Sequence, residues 1–67
     1  MENARRVEKL EQGIWNEISF IDLKAKNIFR MYEPNGEPVE DINGEVEFTA
    51  DCDAFENNDG IWEITII

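Results

Sequence analysis

The apolar positions of this 67-residue chain change their period once, near Asn27. Before that point Val7, Leu10 and Ile14 recur at helical spacing, which predicts a narrow apolar stripe on a short helix over residues 3–12. Asn3 stands where an N-cap belongs, and Gly13 stands where a helix C-terminus would close. A helix of about ten residues is marginal alone in water, so it must dock on a sheet or on a second copy. In residues 15–24, Trp15, Ile18, Ile21 or Phe20, and Leu23 fit one helical face. Ser19 and Asp22 have capping-box spacing, and the segment predicts a turn or short helix leading into a sheet.

From Asn27 onward the period is two. Residues 28–33 predict a strand, and Glu33-Pro34-Asn35-Gly36-Glu37 predicts a turn in which Gly36 supplies a positive φ. Residues 37–39 would form a short return strand, held at an edge because Pro38 cannot donate to a ladder. Asn43-Gly44 is a second hairpin signal. The clearest strand runs over 45–52. Val46, Phe48, Ala50 and Cys52 alternate there with Glu45, Glu47, Thr49 and Asp51, one face on a core and one in water. Residues 53–60 read as a polar loop, and 61–67 as the last strand. The fold class expected is mainly β (α+β). A short N-terminal helix precedes a three- to four-stranded antiparallel meander over 28–67, curled into a small open barrel. The whole makes a single domain over 1–67.

Size and composition narrow the picture. A chain this short buries only about 60% of its unfolded surface, which leaves a marginal core and favours a homo-oligomer. Yet 42% of the residues are apolar, too many for a disordered acidic tail. Cys52 is the single cysteine, which excludes an intrachain disulfide and fits a reducing, intracellular setting. The charged N-terminal stretch is not a signal peptide, and no apolar run reaches the ~18 residues that a membrane span needs.

Charge is divided unevenly. Residues 1–30 carry all six cations against five carboxylates, whereas residues 31–67 carry eleven carboxylates and no cation. A surface that negative repels nucleic acid and anionic membranes, and it attracts basic protein surfaces or metal ions. Glu45, Glu47, Asp51 and Asp53 would project along one strand face at a pitch of roughly 6.7 Å, so that a row of carboxylates resembles a line of phosphates. The ordinary reading is a solvated face, but such faces mix both signs. Glu56 and Asp59 extend the same field, and Phe55, an apolar ring in an acidic loop, is a candidate anchor for a partner. Val7, Leu10 and Ile14 are the candidates for self-association.

Other chemistry is weak. Asp51, Asp53 and the Asn57-Asn58-Asp59-Gly60 run carry calcium-type oxygens, but position five of an EF-hand register would be Phe55 and position twelve Trp62. No metal site or cofactor is expected. With no histidine, the serine and cysteine triads are excluded, and the chain reads as a non-enzyme. Cys52 and Trp62 both alternate with core positions and read as core.

One resemblance adds to these readings. Lys24-x-Lys26-Asn27-Ile28-Phe29-Arg30, the Glu33-Pro34-Asn35-Gly36 turn, residues 44–50, and Asn58-Asp59-Gly60-Ile61-Trp62 resemble recurring motifs of small uncharacterised phage and prophage proteins of Gram-positive bacteria. The resemblance spans roughly residues 20–64, and the family carries no activity to transfer. It implies an origin in which small acidic proteins bind and block host proteins, anti-phage defence enzymes among them. The expected role is inhibition of a host nucleic-acid-handling or defence enzyme in the host cytoplasm. The alternative is a phage assembly module that self-associates through the N-terminal helix.

Overall fold

The computed structural model describes residues 5–67, and there the first element is a strand. β1 (Arg6–Glu11) pairs antiparallel with β2 (Ile14–Ile18) through a two-residue turn. Gln12 and Gly13 both take positive φ, 53° and 79°, the combination that matches the twist of a tight hairpin. The helix expected over 3–12 is therefore overturned; its proposed cap, Asn3, lies outside the described residues. Gly13 closes a hairpin rather than a helix.

The reason lies in pairing. The run Arg5-Arg6-Val7-Glu8-Lys9-Leu10-Glu11-Gln12 has good helix formers, but helix propensity amounts to less than ~1 kcal/mol per residue and tertiary contacts override it. β1 pairs on one side with β2 and on the other with β3 (Ile28–Tyr32), also antiparallel. Both of its faces carry apolar residues: Val7 points into the core, and Leu10, three positions on, points to the opposite face. Val7 is 2% exposed and Ile14 is 62% exposed, so Val7, Leu10 and Ile14 form no common stripe. Self-association through an N-terminal helix falls with the helix.

The main sheet has the order β2-β1-β3-β4, with β4 limited to Phe48–Thr49. β2 and β3 flank β1 and run the same way, so residues 19–27 must cross the sheet to join them. That connection contains a single 3-10 turn, Phe20–Asp22, and it drives Leu23 into the core at 0% exposure. Val7, Leu23, Phe29 and Ala50 form the buried cluster, with Ile18, Phe20, Met31, Phe48, Ala54 and Ile64 packed around it. The crossing segment is fastened to residues 50–54. Lys26 N–H donates to the Ala50 carbonyl (2.8 Å), Ala50 N–H to Asn27 O (2.8 Å), Ala54 N–H to Leu23 O (2.9 Å), and Ala25 N–H to Asp53 Oδ1 (2.8 Å).

The remaining chain is organised by one turn used three times. In Glu33–Gly36, Asp41–Gly44 and Asn57–Gly60, the glycine N–H donates to the carbonyl of the first residue. The first residue's own N–H donates to the carbonyl just beyond the glycine. The three glycines take φ of 92°, 81° and 78°, a region open to them because they lack a Cβ. Asp41 and Asn57 repeat the side-chain pattern as well. Asp41 Oδ1 accepts from Asn43 and Glu45 N–H, and Asn57 Oδ1 from Asp59 and Ile61 N–H, all between 2.8 and 3.0 Å.

Pairing after β3 is shorter than the pattern predicts. Residues 37–39 contribute only the Tyr32–Pro38 bridge, and the 45–52 strand shortens to β4, with residue 45 closing the 41–45 turn and residues 51–52 bending away. Ala50 bridges Ile66, while Asp51 N–H donates to Thr65 O and Ile67 N–H to Thr49 O, so residues 65–67 line the outer side of β4. β5 (Phe55–Glu56) and β6 (Trp62–Glu63) form a separate two-stranded sheet, so residues 28–67 are not one continuous meander.

Candidate protein-interaction surface

The acidic surface is built from loops and short strands of the second half. Glu45 and Glu47 are exposed on either side of half-buried Val46, Ala50 is buried, and Phe48 and Thr49 are both half-buried, so the predicted alternation lapses at Thr49. Asp51 is exposed beside buried Ala50. Asp53 is exposed but also structural, because it accepts from the crossing segment at Ala25. Phe55 and Glu56 lie on β5, and Asp59 at the tip of the β5–β6 hairpin; all three are exposed. Among the described residues, no three His, Cys, Asp or Glu side chains are grouped closely enough to hold a metal ion. The carboxylates are thus spread over the surface rather than gathered into a chelating site.

Their electrostatic state follows from where the cations go. Arg30 Nε sits 2.7 Å from Glu8 Oε1, Arg6 Nε 3.6 Å from Glu8 Oε2, and Lys9 Nζ 3.8 Å from Glu11 Oε2. Three of the four paired cations therefore meet carboxylates of the first half. Only Arg5 crosses over, to Glu33 at 3.0 Å, and both side chains are well exposed. Of the eleven carboxylates after residue 30, Glu33 alone has an ion-pair partner among the described residues.

Phe55 is 41% exposed, as suits a contact residue, while Trp62 is 40% exposed and not part of the core its alternation suggests. Trp62 forms one wall of an open cleft of about 600 Å³, with Phe20, Ile21, Met31 and Ile64 as apolar lining and Arg5 and Glu63 as its charged members. Cys52 is half-buried, with Sγ 3.2 Å from Thr65 Oγ1.

A second feature lies on the sheet face opposite the core. The register places Arg6, Glu8 and Leu10 of β1, Trp15 and Glu17 of β2, and Ile28, Arg30 and Tyr32 of β3 together there. Arg30 lies 4.0 Å above the Trp15 ring and 5.6 Å from Tyr32, and Arg6 lies 4.8 Å from Tyr32. Reading residues 6–11 with a period of two would have exposed this cluster. The Gln12-Gly13 turn lacks the asparagine that announces such hairpins.

No protein-family model, curated protein or solved structure matches the chain. No helix among the described residues is long and apolar enough to cross a membrane.

Proposed function

We propose that this chain is a non-catalytic acidic binding protein that inhibits a host nucleic-acid-handling or anti-phage defence enzyme by occupying a basic surface. The observation that carries the reading is the uncompensated charge of residues 31–67, where one carboxylate of eleven has a cation partner among the described residues. Neutralised acids would present no field. Unpaired ones steer a basic partner toward the surface and raise its association rate. Glu45, Glu47, Asp51, Asp53, Glu56 and Asp59 supply the field, and exposed Phe55 supplies an apolar anchor among them. Blockage is steric, since the bound domain covers the surface that nucleic acid would use.

The test is capture from a Gram-positive host lysate on the immobilised chain, with Glu45→Lys/Glu47→Lys as the control. The expected outcome is one basic enzyme that wild type retains, the control loses and salt elutes, and whose activity falls as the chain is added. Identical capture profiles for the two chains would refute the reading.

A further inference from the structure

The two edges of the main sheet are finished differently. Residues 65–67 cover β4, but no backbone hydrogen bond reaches the outer side of β2 among the described residues. In a hairpin with a two-residue turn, the residues flanking the turn exchange hydrogen bonds and the pairs then alternate. Glu11–Ile14, Lys9–Asn16 and Val7–Ile18 are accordingly the bonded pairs, and Trp15 and Glu17 direct their N–H and C=O groups away from the sheet. An open edge is ordinarily blunted by lysine, proline or a bulge. β2, Ile-Trp-Asn-Glu-Ile, has none of these; the one charged side chain on it is Glu17, and Ile14 at its start is 62% exposed.

We infer that β2 is a self-pairing edge, on which a second copy of this chain adds its own β2 antiparallel about a two-fold axis at Asn16. This register pairs Trp15 with the copy's Glu17, and Glu17 with its Trp15. It uses all four outward-pointing N–H and C=O pairs and sets Ile14 across from the copy's Ile18. It is also the register that charge favours. Within one copy Glu17 stands opposite Glu8, a like-charge pair, and has no cation within ion-pair distance among the described residues. Across the axis Glu17 arrives beside a Trp15 ring that already carries the Arg30 guanidinium at 4.0 Å. Pairing centred on Glu17 would oppose two carboxylates instead. The edge also belongs to the half of the chain with balanced charge, so two copies meet there with the least repulsion. The proposal is independent of the acidic surface.

Sedimentation and residue-resolved hydrogen exchange test it, at loadings from about 10 μM to about 1 mM, where a small interface associates. The expected result is a monomer–dimer equilibrium in which the Trp15 and Glu17 amides gain protection as concentration rises. Glu17→Lys supplies the decisive sign. It removes the repulsion with Glu8 and moves each copy's net charge two units toward zero from −10, so general repulsion falls. Yet it sets a lysine against the partner's Arg30, and the dimer should weaken about tenfold while the fold stays intact. A wild type that stays monomeric with Trp15 and Glu17 amides freely exchanging overturns the inference. So does a Glu17→Lys variant that dimerises as well as wild type or better.

Discussion

Replacing Leu23 with alanine asks whether the crossing segment holds this fold together. Leu23 is 0% exposed and belongs to a buried cluster of only four residues, with Val7, Phe29 and Ala50. It sits between two backbone ties, the Ala54 N–H to Leu23 carbonyl bond and the Lys24–Asn27 turn, so neighbouring chain cannot easily collapse into the space left behind. Large-to-small changes at such sites cost about 2–5 kcal/mol, through lost burial plus the cavity. A domain of this length holds only roughly 3–10 kcal/mol in total, so Leu23→Ala should remove about a fifth of it or more. Leu10→Ala is the matched control. Leu10 is half-buried on the opposite face, and its truncation should cost about 1 kcal/mol. Urea unfolding followed by tryptophan fluorescence, with a shared slope, gives both values. The helical pattern predicts the reverse ranking, because there Leu10 is the centre of the docked stripe. Costs that are equal, or larger at Leu10, would refute the sheet arrangement.

Three further outcomes follow from particular contacts. Asp41→Ala and Asn57→Ala each remove one side-chain oxygen that accepts two backbone N–H groups, at a cost of about 1 kcal/mol apiece, and hydrogen exchange should rise at residues 43–45 and 59–61 respectively while Phe29 stays protected. Unchanged exchange at those amides would count against the shared turn. Arg30→Met removes the 2.7 Å bond to Glu8 and the stack on Trp15, and should cost about 1–2 kcal/mol with a shift in Trp15 emission; identical emission and stability would show the cluster to be incidental. Lys26 holds φ at 77°, so Lys26→Gly should relieve about 1–2 kcal/mol of strain, offset in part by glycine's entropy, and raise the urea midpoint; a lower midpoint would contradict it.

How much of this was legible depended on whether a segment carries its own punctuation. The turns at 33–36 and 41–44 were readable because an asparagine followed by glycine admits few other conformations, and β3 between Ile28 and Tyr32 follows from its period of two. β1 was not readable. It places Val7 and Leu10 on opposite faces, and it sets Lys9 opposite Phe29. A spacing of three arises there from two apolar faces, and it mimics a helix. The crossing connection was also hidden, because Leu23 is buried by the order of the strands rather than by any local pattern. The acidic residues were visible one by one. That three of the four ion-paired cations meet carboxylates of the first half emerged only from the structure, Arg6–Glu8 and Lys9–Glu11 along β1 and Arg30–Glu8 across the register of β1 with β3.

The most direct test of the central claim is the association rate between the chain and its captured enzyme as a function of ionic strength. If the unpaired carboxylates are the working surface, the wild-type rate falls steeply between about 50 mM and about 500 mM salt, as screening shortens the reach of the field. Glu45→Lys/Glu47→Lys, folded and at least as stable, then associates slowly with a nearly flat salt dependence. Equal rates and equal slopes for the two chains would contradict the account.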